Sequence, residues 1–279
     1  MELIVRAVDV GYGNTKYVTG VSGDEIRCAS FPSLAYPFPR DPSTTLGADR
    51  RKTVAIPIGG MFYEVGPDVM LAADAFRASQ IHDNFIDTPE YLALARGALR
   101  MMKVDTIDLL VVGLPVAIFA LKKAALEKLM TGSHDVGNGK TVLVRKALAM
   151  AQPNGALIDY ASQHDKVVAM ENEHSLVIDP GSRTFDWLVA RGMKLSYKRS
   201  HSVNRGVSDI LQVIADDISA EIGKPYNQLD TIDLALRSNK NLTIFQRTYS
   251  LARMKPVVES VTKQAVGAMM RRIGEFFDV

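Results

Sequence analysis

The feature that most constrains the fold of this chain is an internal repeat near its start and past its middle. The first copy reads AVDVGYGNTKYV and spans Ala7 to Val18, and the second reads VIDPGSRTFDWLV and spans Val177 to Val189. Each copy has a strand-like segment, an aspartate, one residue, a glycine, a polar turn with a threonine, and a returning strand. The repeat predicts that the chain begins the same fold twice.

Similar patterns of strands and helices follow both copies. Further strands are predicted at Glu25 to Phe31, Ile107 to Val112, Thr141 to Met150 and Lys194 to His201, with a turn at Gly132 to Gly139. Helices are predicted at Pro67 to Ser79, Glu90 to Met102, Val116 to Met130, Pro153 to Gln163, Val207 to Ile222 and Pro256 to Phe277. Strands that alternate with helices indicate the α/β class.

The length of 279 residues fits two domains of about 150 residues each. We expect a first domain at 1–166, with an insertion at about 32–88. There prolines and the pair Gly59-Gly60 interrupt every regular pattern except short hairpins and the helix near Pro67 to Ser79. A second domain is expected at 167–279, with a smaller, polar insertion at about 224–255.

Charge and cysteine content restrict the environment and the partners. The formal net charge of +2 indicates no strong field for nucleic acid or a membrane surface. The single cysteine, Cys28, forms no internal disulfide, which favours a reducing compartment. The start of the chain has no secretory-signal pattern, and no apolar run reaches the roughly 20 residues of a membrane helix. We therefore expect a cytoplasmic protein that does not bind membranes.

The two turns have the chemistry of phosphate-binding loops. A glycine in a β-turn-β lets a phosphate come close to several backbone N–H groups. A carboxylate beside such phosphates is repelled unless Mg²⁺ lies between them, which applies to Asp9 and Asp179. A single Asp-x-Gly is usually an ordinary hairpin turn. Two copies at the start of two similar strand meanders favour a pair of loops that hold one polyphosphate.

At the level of motifs, the chain resembles the actin-like ATPase superfamily. DVGYGNTK, Asp9 to Lys16, resembles the first phosphate loop of that superfamily, and DPGSRTFD, Asp179 to Asp186, is similar to the second. FPSLAY at Phe31 to Tyr36, VVGLPV at Val111 to Val116 and AQPNGAL at Ala151 to Leu157 resemble the ParM/StbA-type plasmid-segregation branch. The resemblance implies an actin-like (ribonuclease H-like) fold in which two βββαβα domains face each other across a nucleotide cleft.

The resemblance also implies a function and assigns roles to residues. It implies a Mg²⁺-dependent ATPase, with GTP as an alternative nucleotide, that assembles into filaments for plasmid segregation with an adaptor protein bound to plasmid DNA. Asp9 and Asp179 would act on the metal mostly through its waters, Lys16 would stabilise charge during transfer, and Gln152 would orient the attacking water. The nucleotide phosphates would be held by Gly11, Tyr12, Gly13, Asn14, Thr15 and Lys16 and by Gly181, Ser182, Arg183 and Thr184.

Two departures from the family pattern leave alternatives open. Pro180 and Arg183 stand where the family has a flexible and a small residue, and Arg183 either pairs with phosphate or blocks its approach. After the last predicted helix we expect no closing strand, glycine-rich adenosine loop or final helix. The alternatives are a non-polymerising enzyme of the sugar-kinase or chaperone type and a non-catalytic nucleotide-binding scaffold.

Overall fold

The computed structural model describes residues 3–23, 25–39, 51–71 and 84–274. The chain divides into two compact units, unit 1 (Met1–Gln152) and unit 2 (Pro153–Val279). The domain limits predicted from the sequence, with their boundary at residue 166, stay a prediction. No helix in the described ranges is both long enough and apolar enough to cross a bilayer.

Unit 1 alternates strands with helices, as the sequence predicted. Its elements are β1 (Val5–Val10), β2 (Asn14–Ser22), β3 (Glu25–Pro32), β4 (Tyr36–Phe38), β5 (Val54–Ile58), β6 (Met61–Val65), α1 (Pro89–Met101), β7 (Thr106–Ile107), β8 (Leu109–Leu114), α2 (Val116–Met130), β9 (Gly132–Asp135), β10 (Thr141–Val144) and β11 (Ala147–Ala151). Helix α3 (Gln152–Gln163) begins at the last residue of this unit.

The main sheet of unit 1 has the strand order β11-β8-β1-β2-β3. The predicted meander is confirmed, because β2 pairs antiparallel with both β1 and β3. Strands β1, β8 and β11 are parallel, with Val8 opposite Val112 and Met150 opposite Gly113. The carboxyl ends of these three strands therefore meet at one edge of the sheet, where open α/β sheets bind ligands.

The prediction of one strand from Thr141 to Met150 is wrong. Strand β10 pairs with β7 and β9 in a separate small sheet, and only β11 joins the main sheet. The predicted turn at Gly132 to Gly139 is also partly strand, since 132–135 form β9. Its sequence Gly-Ser-His-Asp has little strand propensity, so the pairing with β10 decides its conformation.

The predicted insertion contains a small sheet with the order β4-β6-β5. This sheet lies close to α1, because a methyl group added at Gly97 would come within 2.4 Å of Val65 Cγ2. Of the helix predicted at Pro67 to Ser79, the structure describes only residues 67–71, which contain a short 3-10 turn at Val69–Leu71. The rest of that prediction, and the end of the helix predicted to reach Phe277, lie outside the described residues.

Unit 2 repeats the opening of unit 1. Its further elements are β12 (His174–Pro180), β13 (Phe185–Arg191), β14 (Lys194–Leu195), β15 (His201–Val203), α4 (Val207–Ile222), α5 (Leu229–Arg237), β16 (Leu242–Ile244), β17 (Arg247–Tyr249) and α6 (Lys255–Ile273). Strand β13 pairs antiparallel with β12, β14 and β15, so the strand predicted at Lys194 to His201 is two short strands. Trp187 is fully buried in a cluster with residues of α6, including Met269.

The region predicted as a polar insertion at about 224–255 forms a hydrophobic core together with α4. Helix α5 and the β16–β17 hairpin bury Ile232, Leu242 and Tyr249 against Ile214 and Ile218 of α4. Within α5, apolar residues recur at helical spacing between polar ones, so this helix is amphipathic.

The turn of the β16–β17 hairpin has an unfavourable backbone for its residues. Phe245 and Gln246 both have positive φ angles, 47° and 65°, and the Phe245 side chain is 76% exposed. Two-residue turns of this kind favour Asn-Gly, because the left-handed region is strained for residues with larger side chains.

Replacing Phe245 by Asn together with Gln246 by Gly is expected to raise the free energy of unfolding by about 1–2 kcal/mol, because the strain is relieved. Urea unfolding followed by Trp187 fluorescence measures this. Phe245→Tyr, which keeps the ring and the strained backbone, serves as the control with unchanged stability. A less stable Asn-Gly variant would contradict the interpretation of the turn.

Candidate functional site

The first predicted phosphate loop is a tight hairpin turn between β1 and β2. Asp9 lies directly opposite Lys16 in the strand register. The Gly11 N–H donates to the Asn14 carbonyl oxygen over 3.2 Å, and a Cβ at Gly11 would lie 3.0 Å from that oxygen. Glycine is therefore favoured here, because any side chain would crowd the backbone of the turn.

The second predicted loop has the same geometry in unit 2. The Gly181 N–H donates to the Thr184 carbonyl oxygen over 2.8 Å, and a Cβ at Gly181 would lie 2.9 Å from that oxygen. Asp179 lies opposite Asp186, as Asp9 lies opposite Lys16 in unit 1. The hairpin repeat predicted from the sequence is confirmed at the level of single hydrogen bonds.

In unit 1 the structure brings Asp9 and Gln152 together, although they are 143 positions apart. Gln152 Nε2 donates to Asp9 Oδ1 over 2.6 Å. Gly113, near the end of β8, leaves room for this pair: a Cβ there would lie 2.5 Å from Asp9 Oδ1 and 3.0 Å from Gln152 Cγ. The three residues stand at the carboxyl ends of β1, β8 and β11, so parallel pairing places them.

Tyr91 of α1 belongs to the same surroundings. Burial raises the pKa of its phenol well above the usual value, and the negative charge of Asp9 adds to the increase. The phenol is therefore neutral at any physiological pH. Tyr91 is 4% exposed, so its side chain belongs to the core of unit 1.

The other predicted side chains of the first loop lie in different environments. Thr15 is fully buried, and its hydroxyl shares a 2.9 Å hydrogen bond with the hydroxyl of Ser33. The Ser33 N–H donates to the Gly13 carbonyl oxygen over 3.0 Å, which holds the far side of the turn. Asn14 and Lys16 are exposed.

The second loop is bound to the amino terminus of α4. The N–H groups of Val207 and Ser208 donate to the carbonyl oxygens of Gly181 and Ser182 over 3.1 and 2.7 Å. The Ser182 and Ser208 hydroxyls are 2.8 Å apart. A Cβ at Gly206 would lie 2.2 Å from the Ser182 carbonyl oxygen, so only glycine allows this approach.

A buried polar row crosses the sheet of unit 2 below the second loop. Asp186 is 2% exposed and accepts a hydrogen bond from the Ser202 hydroxyl on the neighbouring strand. Asp186 in turn lies opposite Asp179 in the register, which places both carboxylate-bearing residues at the base of the hairpin.

Sequence reasoning missed residues that shape both loops. Gly113 and Gly206 lie beside the predicted site residues, and their signal is only the lack of a side chain next to a strand end and a helix start. Ser33 and Tyr91 carry no local signal at all.

The predicted residues of the second loop all belong to unit 2: Asp179, Gly181, Ser182, Arg183 and Thr184. The roles assigned to every site residue stay predictions.

Comparison with known proteins identifies two family models along the chain. Residues 7–155, more than half of the chain, match the N-terminal domain of actin-like proteins. Residues 177–279 match the C-terminal domain of the archaeal, MreB-like actin homologue. No curated protein matches the sequence.

Solved structures of actin homologues resemble the fold. The archaeal actin homologue Ta0583 is 21% identical with a TM-score of 0.73, over 97% of this chain and 83% of that chain. The complex of Ta0583 with ADP is 20% identical with a TM-score of 0.68, over 97% of this chain and 82% of that chain. A ParM from Clostridium botulinum, solved as a 15-stranded filament, is 16% identical with a TM-score of 0.73, over 99% of this chain and 85% of that chain. The fold is therefore actin-like, and with the match to residues 7–155 the chain belongs to the family of actin-like proteins.

Proposed function

We propose that this protein binds a nucleoside triphosphate with Mg²⁺, hydrolyses it and assembles into filaments. The observation that carries the proposal is the 2.6 Å hydrogen bond between Gln152 and Asp9 beside the first loop. It joins the predicted water-orienting residue to the predicted metal carboxylate at the ligand-binding edge of a parallel sheet.

The residues around Asp9 fit a magnesium ion. Carboxylate oxygen is the donor that Mg²⁺ prefers, together with waters and substrate phosphates. The absence of a side chain at Gly113 allows the Asp9 carboxylate to lie against the end of β8, where Asp9 Oδ1 takes the place of a Cβ. Asp9, and Asp179 in unit 2, would hold the ion mostly through its waters, and the bound ion would neutralise charge on the phosphates.

Gln152 is suited to orient water rather than to remove a proton. Because its Nε2 donates to Asp9, Oε1 is the end of the amide that can accept a hydrogen bond from water. Phosphoryl transfer depends on positioning and charge neutralisation more than on a strong base. We therefore expect slow turnover.

Lys16 and the two loops would supply the remaining contacts to the phosphates. Lys16 brings a positive charge to the strand position opposite Asp9. The loop residues proposed to bind phosphate are Gly11, Tyr12, Gly13, Asn14 and Thr15 in unit 1 and Gly181, Ser182, Arg183 and Thr184 in unit 2. ATP is the proposed nucleotide and GTP its alternative; that both loops act on one polyphosphate stays a prediction.

The filament and nucleotide parts of the proposal are supported by proteins of similar fold. The similar Clostridium botulinum ParM was solved as a filament, and the similar Ta0583 was solved with ADP. By this likeness we propose self-association into filaments. From the motif resemblance to the ParM/StbA-type branch we further propose that the filaments act in the cytoplasm in plasmid segregation, through an adaptor bound to plasmid DNA.

Gln152→Ala is expected to lower Mg²⁺-dependent phosphate release from ATP about tenfold, because the attacking water loses its orientation and Asp9 loses a hydrogen bond. The measurement is steady-state phosphate release, with sedimentation of the wild type in the presence and absence of ATP. The control is Gln163→Ala on the same helix, whose amide donates a hydrogen bond to the exposed Asp159.

Equal rates for the wild type and Gln152→Ala at background level would leave only the scaffold alternative. Hydrolysis by a wild type that stays monomeric with ATP would favour the non-polymerising alternative.

A further inference from the structure

Three aromatic rings connect the first loop to the interior of unit 1. Tyr12, in the middle of the loop, stacks on Phe85 with ring centroids 5.4 Å apart and planes at 29°. Phe85 meets Tyr91 edge-on, with centroids 5.6 Å apart and planes at 85°. Both arrangements are favourable for aromatic pairs.

Phe85 is held firmly at the start of α1. It opens the 3-10 turn Phe85–Asp87, and the Thr88 hydroxyl donates to its carbonyl oxygen over 2.6 Å. The same hydroxyl accepts from the Tyr91 N–H over 3.2 Å as the cap of α1. Asp87 accepts from Lys122 of α2 over 2.7 Å, so the turn is tied to two helices.

The first loop needs such support because of its composition. Tyr12 stands between Gly11 and Gly13, and glycine leaves the backbone with more conformational freedom than any other residue. An ordering contact at Tyr12 therefore restricts the backbone N–H groups on both sides of it. The third ring of the stack, that of Tyr91, lies near enough to Asp9 for the negative charge of Asp9 to raise the pKa of its phenol.

We infer that Phe85 is a positioning residue for the first loop: by stacking on Tyr12 it holds the loop backbone in the conformation that binds the β- and γ-phosphates. The inference rests on the proposed nucleotide binding. Phe85 lies outside both copies of the repeat, near the end of the predicted insertion and just before α1.

The test compares Phe85→Leu with the wild type in two measurements. Hydrogen exchange of a peptide covering residues 9–16, in the protein without nucleotide, is expected to become about three- to tenfold faster. ADP affinity is expected to fall about three- to tenfold, whereas AMP affinity stays unchanged, because AMP has no β-phosphate for the loop to hold. A structural role alone would not separate ADP from AMP.

Two control variants complete the experiment. Phe119→Leu removes a buried phenylalanine of α2 that is not in the stack, and is expected to change neither measurement. Phe85→Tyr keeps the ring and is expected to restore both.

Unchanged exchange in Phe85→Leu overturns the inference whether or not the protein binds nucleotide. Equal losses for ADP and AMP overturn it as well. A wild type that binds no ADP overturns the proposed function, and a faster exchange of the loop in Phe85→Leu then still supports the stacking role.

Discussion

Gly113→Ala is expected to lower the rate of phosphate release about 100-fold in a protein that still folds. The added methyl group would lie 2.5 Å from Asp9 Oδ1 and 3.0 Å from Gln152 Cγ, so both side chains must move. A displacement of about 1 Å at a reacting centre reduces rates by roughly 10²-fold. The effect exceeds that of Gln152→Ala, because one methyl group disturbs the carboxylate and the amide together.

Gly155→Ala is the matched control for this variant. A Cβ at Gly155 has no atom of its surroundings within 4 Å, and the residue lies on α3, three positions after Gln152. We expect its activity to equal that of the wild type. A fully active Gly113→Ala would show that Asp9 and Gln152 do not act in the hydrolysis at the positions seen here.

Gly206→Ala is expected to lower the free energy of unfolding of unit 2 by about 2–3 kcal/mol. The new Cβ would lie 2.2 Å from the Ser182 carbonyl oxygen and 2.5 Å from the Arg183 carbonyl carbon. These are backbone atoms, so no side-chain rotation relieves the overlap. The loop must withdraw from α4 and lose the hydrogen bonds from Val207 and Ser208.

Trp187 makes this measurement specific to unit 2, because it is the single tryptophan of the chain and is fully buried there. Urea unfolding followed by its fluorescence gives the free energy. Gly267→Ala is the control, since its nearest neighbour is the flexible end of Arg271 at 3.5 Å. Equal stability of Gly206→Ala and Gly267→Ala would mean that α4 does not fix the second loop.

The elements predicted best are those with local signals at their ends. Helices α2 and α4 have the predicted limits, Val116–Met130 and Val207–Ile222. Proline precedes the first, and glycines flank the second at 206 and 223. The run from Thr141 to Met150 had no such interruption and was predicted as one strand, although its halves join different sheets.

The two turns of the repeat could be predicted from the sequence, because a hairpin is formed by residues that are neighbours in the chain. Asp9, Gly11 and Asn14, like Asp179, Gly181 and Thr184, lie within a few positions of each other. The same backbone hydrogen bond joins Gly11 to Asn14 and Gly181 to Thr184. The side chains that surround these turns could not be predicted in this way. Gly113 reaches Asp9 only through parallel pairing of β1 with β8, about a hundred residues later in the chain, and Phe85 reaches Tyr12 only through the packing of α1. Local sequence therefore determined the two turns, and long-range strand pairing and helix packing decided which side chains surround them.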